Sequence, residues 1–355
     1  MQTDLTNGSV LKNIALFSLP FFLSYFLQTL YGLADLFIIG QFDGVDSITA
    51  VSIGSQIMHM ITVMIVGLSM GATVCIAQAV GAKDKEKLRY CIGNTVTVFF
   101  IVSLLLTGLL LFYTDVIVGV VKTPTEAVAG TKEYLIICFI GIPLITAYNI
   151  VSSILRGMGD SKSPMYFIAI ACVANIILDY VFIGYFKLGA VGAALGTTLS
   201  QGISVICALT YINRNNSNDS FSFAYLKLKG NIAKRLLRIG IPICAQDGFI
   251  QVAFMVITVI ANMRGLTDAA AVGIVEKIIS FIFLVPSSML STVSAMGAQN
   301  IGAGKIDRAK QTLRYAIYIT FIFGVIVGIL FQFIAENALE LFTENHSVIV
   351  SGGKY

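Results

Sequence analysis

Long stretches without a single Asp, Glu, Lys or Arg alternate with short charged segments along this chain. Charge-free runs cover Ser47–Ala82, Tyr90–Thr114, Tyr134–Leu155, Leu188–Asn213, Ile278–Gly304 and Tyr315–Ala335. Each exceeds the roughly 20 apolar residues that carry a helix across a bilayer core. Pro and Gly inside such runs are tolerated, because neighbouring helices re-satisfy the backbone groups they free. The pattern predicts nine complete spans, near 13–40, 47–79, 91–113, 127–155, 164–186, 190–212, 236–263, 269–300 and 312–335, with a tenth beginning near Ser347. The fold class expected is an all-α polytopic membrane protein.

The polar segments between spans carry a repeat. "AQAVGAKDKEKLR" (Ala77–Arg89) returns as "AQNIGAGKIDRAK" (Ala298–Lys310), 221 residues later. The same shift aligns "GVDSITAVSI" with "GLTDAAAVGI", places Tyr355 on Tyr134, and brings Pro242 within one residue of Pro20. Apolar segments resemble each other trivially, whereas charged loops do not. An even number of spans separates equivalent positions, so the halves are parallel repeats about an axis along the membrane normal, a plan used by secondary transporters. The expected organisation is a first lobe over 1–212 with six helices, a cytoplasmic linker over 213–235, and a second lobe over 236–355 with three complete helices. The second repeat stops about three helices short, and the sequence reads as a fragment of a longer transporter.

Composition agrees: 57% of residues are hydrophobic and 12% charged, about half the charged share of a soluble domain. With the N-terminus in the cytoplasm, the cytoplasmic segments hold 17 of the 23 Lys and Arg, as the positive-inside rule asks. The location expected is the cell membrane, the bacterial inner membrane in particular. The short polar N-terminus is not a cleavable signal, and the first helix does the targeting. Six scattered cysteines without a CxxC read as small apolar fillers, and two distant histidines make a His-based metal site improbable. "RGMGDSK" lacks the Lys-Ser/Thr of a nucleotide loop, so an ion gradient is the expected energy source, with no cofactor and no nucleic-acid partner.

One carboxylate needs explaining. Asp35 is preceded by an uncharged run from Asn13 to Ala34 and followed by Leu36–Phe42. Burying an unpaired charge costs several kcal/mol or more. Asp35 lies eight residues before Asp43, Asp179 eight before Lys187, and Thr197 eight after Gly189. At 1.5 Å per residue all three sit roughly 12 Å inside the outer boundary. Tyr134 enters its helix from the same side, Asn175 lies one turn from Asp179, and Gln28 lies two turns below Asp35 on the same face. These residues can surround a wet pocket that holds a shared proton or, through oxygen ligands, Na⁺. The bland alternative is a pair of interfacial acids reaching headgroups or water. Val256 stands at the repeat position of Asp35, so the acid is confined to one half, which favours function.

In "SLPFFLSYFLQTLYGLADLFIIG", "GATVCIAQAVGAKDKEKLR", "ILRGMGDSKSP", "NIILDYVFI", "GAVGAALGTTLSQ" and "GAQNIGAGKIDRAK", the chain resembles the multidrug and toxic compound extrusion (MATE) family over its whole length, with the first nine of twelve helices present. The resemblance implies two six-helix lobes in a V and export of cationic, amphipathic drugs in exchange for H⁺ or Na⁺ by a monomer. It also implies cation or proton binding at Asp35, Asn175 and Asp179, with Gln28, Tyr134 and Thr197 around them, and a bend of the first helix at Pro20. A branch of the family adds a glutamate on the seventh helix; here "QDGFIQVAF" offers Asp247 and Gln251 instead.

Asp247 and Glu276 are candidate substrate contacts. The bland readings are a structural Asp247 and a Glu276–Lys277 pair snorkelling to the outer surface. Scattered methionines are mostly packing. The alternative function is export of a lipid-linked polysaccharide precursor, which would call for several cations within the spans. An intramembrane enzyme would need convergent nucleophile, metal or paired-acid motifs, and none is found.

Overall fold

A computed structural model of the chain describes residues 4–215, 225–340, 343 and 346–354. The first half contains α1 (Val10–Phe42), α2 (Val45–Gly81), α3 (Lys85–Phe112), the short α4 (Thr114–Val120), α5 (Val128–Ile140), α6 (Ile142–Gly157), α7 (Lys162–Asp179) and α8 (Gly189–Asn215). The second contains α9 (Gly230–Arg264), α10 (Leu266–Ile282), α11 (Leu284–Gly302), α12 (Ile306–Glu340) and α13 (His346–Gly352). Eight helical stretches among the described residues are long and apolar enough to cross a membrane, or nine counting a pair bent by 46° between Ile140 and Ile142. These nine match the expected spans, and α13 stands where the tenth was expected to begin. Tyr355 and the middle of the expected linker, 216–224, lie outside the described residues.

Two spans read as continuous are broken, each for a stated reason. The span at 127–155 splits at Gly141 because Pro143 has no N–H to give the carbonyl of Phe139. Thr107 Oγ1 of α3 takes that carbonyl instead, at 3.2 Å. The span at 269–300 splits at Phe283, where Pro286 does the same to the turn before it.

The repeat survives in local geometry. In the turn after α2, Lys83 has φ +55°, and its repeat mate Gly304, in the turn after α11, has φ +73°. The sharp reversal needs a left-handed residue in both halves, and only one half supplies the glycine that adopts it without strain. Asp84 then caps α3 by accepting from Lys87 N at 2.9 Å.

The halves meet along a seam on the side of the N-terminus. Gly81 of α2 lies against the carbonyl of Gln299 in α11, and Gly302 lies against the carbonyl of Gln78 in α2. These contacts are exchanged by the 221-residue repeat, so a local two-fold axis passes between them. Gly71 and Gly240 bring the backbones of α2 and α9 equally close. Each half also sends its leading segment onto the other. Lys305 Nζ donates to Thr6 O at 2.8 Å and Arg308 Nη1 to Gly8 O at 2.7 Å. Reciprocally, Thr97 Oγ1 donates to Leu226 O at 2.8 Å and Asn94 Oδ1 accepts from Lys229 N at 2.8 Å.

Away from the seam, the middle of α1 is covered within the first half. Residues Asp35, Ile38 and Ile39 of α1 are buried, with Asp35 only 3% exposed, and α1 packs there against α2, α7 and α8.

Candidate functional site

Four helices bring the site together. Asp35 comes from α1, Asn175 and Asp179 from the last turns of α7, Thr197 from α8 and Tyr134 from α5. Asp35, Asn175, Asp179 and Tyr134 are all buried. Thr197 Oγ1 donates to Asp35 Oδ2 at 3.2 Å, and Asn175 Nδ2 donates to Asp179 Oδ1 at 3.5 Å. The Asp35 and Asp179 carboxyl groups are direct neighbours, within reach of a shared proton. Their close fit depends on Gly196 of α8, since a methyl group there would overlap Asp179 Oδ1.

The oxygen atoms outnumber the donors. Asp35 Oδ1, Asp179 Oδ2 and Asn175 Oδ1 are buried without a hydrogen-bond partner. Two adjacent carboxylates in apolar surroundings repel one another and lose their hydration. One positive charge resolves both problems, whether as a proton held between them or as a small hard cation that takes oxygen ligands. The donor set fits either.

Beyond Asp179, α7 does not continue as an ordinary α-helix but widens into a π-helical turn over Tyr180–Tyr185. Such turns interrupt the regular hydrogen-bond ladder and occur often at functional sites. Nothing in the apolar pattern distinguishes those residues from helix, and the turn is visible only in three dimensions.

Tyr134 packs its ring on Gly54 of α2, where any side chain would overlap it. Tyr31, one turn before Asp35, also lies near that carboxyl group. The i, i+4 spacing to Asp35 was the available signal for Tyr31. Gln28, two turns away, is half-buried and makes no hydrogen bond to the cluster among the described residues. Pro20 is buried within α1, which continues through it, and its carbonyl accepts from Ser24 Oγ at 2.7 Å.

The two candidate substrate contacts lie elsewhere. Asp247 of α9 is half-buried where α9 crosses α2, its Oδ2 2.6 Å from where a Gly67 side chain would begin. Glu276 of α10 accepts from Thr258 Oγ1 of α9 at 2.6 Å. It is therefore tied into the second half. Lys277 lies in the neighbourhood of His59 of α2, in the other half.

A family model described as MatE matches residues 20–181 and 242–355. The two matches start 222 residues apart, at Pro20 and at Pro242. The chain is 31% identical over 353 residues to the probable multidrug resistance protein YoeA of Bacillus subtilis (strain 168), covering 97% of this chain and 76% of that protein. Among solved structures it is similar to MATE in the bent conformation, with a TM-score of 0.88 and 25% identity over 99% of this chain and 78% of the other. It is also similar to the outward-facing conformation of a multidrug resistance MATE family transporter of the MOP superfamily, with a TM-score of 0.86 and 25% identity over 98% and 77% of the two chains.

Proposed function

The chain belongs to the MatE family of multidrug efflux transporters, and on that premise we propose that it exports cationic, amphipathic drugs in exchange for H⁺ or Na⁺ taken up at Asp35, Asn175, Asp179 and Thr197. The observation that carries this reading is the buried carboxyl pair with unpartnered oxygens, which calls for one positive charge. The excess of Lys and Arg in the loops of the N-terminal side supports a cytoplasmic N-terminus in the cell membrane. In that orientation the seam serves as the cytoplasmic gate, here in its closed state.

The cycle then runs as follows. From outside, an ion enters the carboxyl pair and neutralises it. That removes the repulsion separating α1 from α7, alters α1 around Pro20 and lowers affinity for a drug held in the cleft. The drug leaves, the seam opens, and a new drug competes the ion off on the cytoplasmic side. Asp247, half-buried where α9 crosses α2, would attract a cationic drug on this reading. A second reading, export of an anionic lipid-linked precursor, draws on the cation at Lys277 of α10, in the neighbourhood of α2 of the other half.

The experiment is ethidium-driven ion movement in proteoliposomes of the complete protein, with and without Asp35→Asn. Ethidium export that collapses in the variant supports antiport at this site, and its dependence on Na⁺ or pH identifies the ion. Ethidium export untouched by the variant rules the ion site out. A well-folded protein that exports no cation shifts the case to the anionic precursor.

A further inference from the structure

Arg156, in the last turn of α6, is 7% exposed. Its Nε has no hydrogen-bond partner, and no carboxylate pairs with it among the described residues. A buried guanidinium is costly unless its surroundings compensate it. Two features do so here. The carbonyl end of α6 favours a cation, and the face of the Phe21 ring lies 4.7 Å from the guanidinium carbon.

The position of that ring matters. Phe21 directly follows Pro20, whose missing N–H removes one rung from the hydrogen-bond ladder of α1. Arg156 therefore rests on the turn at which α1 bends most easily. The next residue, Gly157, faces the seam. Its carbonyl accepts from Gln299 Nε2 of α11 at 3.0 Å. A side chain at 157 would run into Ile76 and the Thr73 carbonyl of α2, so this end of α6 packs closely on α2 and moves with it. The carbonyl of Gln299 in turn forms the Gly81 contact of the seam. Two consecutive residues thus touch the proline turn of α1 and the joint between the halves.

We propose that Arg156 is a positioning residue that couples bending of α1 at Pro20 to opening of the seam. The proposal rests on the ion-site reading above. When an ion at Asp35 and Asp179 changes the course of α1, Phe21 shifts beneath the guanidinium. The guanidinium follows its ring and pulls the last turn of α6, and the Gly157–Gln299 hydrogen bond loosens. Arg156 touches neither ion nor drug.

The test uses the complete protein in proteoliposomes, measuring ethidium export together with uptake of H⁺ or ²²Na⁺. Arg156→Ala and Phe21→Leu should each lower ion-driven ethidium export at least tenfold. The ion concentration for half-maximal export should move less than twofold, which a damaged ion site would not allow. The double variant should be no worse than the worse single variant, and Phe21→Tyr, which keeps the ring face, should stay within twofold of the parent. Wild-type export in Arg156→Ala, losses that multiply in the double variant, or a Phe21→Tyr as poor as Phe21→Leu would each overturn the proposal. If Arg156→Ala does not fold, Arg156→Lys, which keeps the charge but not the plane, enters the same cycle with Phe21→Leu. Asp35→Asn run in parallel separates the two ideas. Loss in that variant with normal coupling in Arg156→Ala overturns only the role of Arg156, whereas no loss in Asp35→Asn overturns the ion-site reading itself.

Discussion

The reciprocal seam makes a testable statement about conformational balance. In Gly81→Ala, the new methyl group would overlap the Gln299 carbonyl oxygen and stand 2.8 Å from the carbonyl carbon. Comfortable contact to carbon begins near 3.5 Å and the overlap with the oxygen is deeper, so α2 and α11 must separate by more than about an ångström. Overpacking of this kind costs about 1–3 kcal/mol. A conformer in which the halves have parted at this end does not incur that cost. The equilibrium should therefore move toward it by about 5- to 150-fold, the factor equivalent to those energies. Spin labels at Glu86 and Asp307, repeat mates just beyond the seam on α3 and α12, would report the change as a longer distance between them. Gly302→Ala, which meets the Gln78 carbonyl in the mirror-image contact, should shift the distribution the same way. Both variants folding normally with unchanged distances would refute the idea that this seam is the closed gate.

Two further expectations concern single positions. Gly196→Ala would place a methyl group on the Asp179 carboxylate, so ion affinity, read from the ion dependence of export, should fall at least tenfold while the Glu86–Asp307 distances stay as in the parent. Lys83 occupies the left-handed region that Gly304 fills in the repeat. Lys83→Gly should therefore be neutral or stabilising by up to about 1 kcal/mol and Lys83→Val destabilising, which thermal unfolding in detergent would show; a clear loss of stability in the glycine variant would contradict the strain argument.

Much of the architecture was legible because lipid imposes a coarse rule: a charge-free run of sufficient length has little choice but to span. The 221-residue repeat was legible in its loops, and the seam now shows why those loops match. Gln78 and Gln299, with Gly81 and Gly302, make the same contact from opposite sides. Depth was also legible. Counting residues from the nearest charge placed Asp35, Asp179 and Thr197 at one level, and the structure joins them. Counting along a helix says less about reach, and Gln28 stays outside the cluster although it shares the face of Asp35. Hydrophobic pattern cannot distinguish an α-turn from the π-turn after Asp179, since both are equally apolar. Nor does the charge rule separate loop cations by burial. Arg156 counted as one more basic residue on the N-terminal side, and only packing shows that it lies under neighbouring helices against Phe21.

The position of the seam has a mechanical consequence. α2 runs 37 residues from Val45 to the contact at Gly81, about 55 Å at 1.5 Å per residue. With its fulcrum at one end, such a lever magnifies small rotations. A tilt of about 10° at Gly81 would carry the Val45 end through roughly 10 Å, about the diameter of a helix, while the glycine–carbonyl contacts themselves shift little. The far mouth can therefore close over a bound drug before the fulcrum lets go. This geometry favours an occluded intermediate, shut at both ends, as a stopping point between the two open forms.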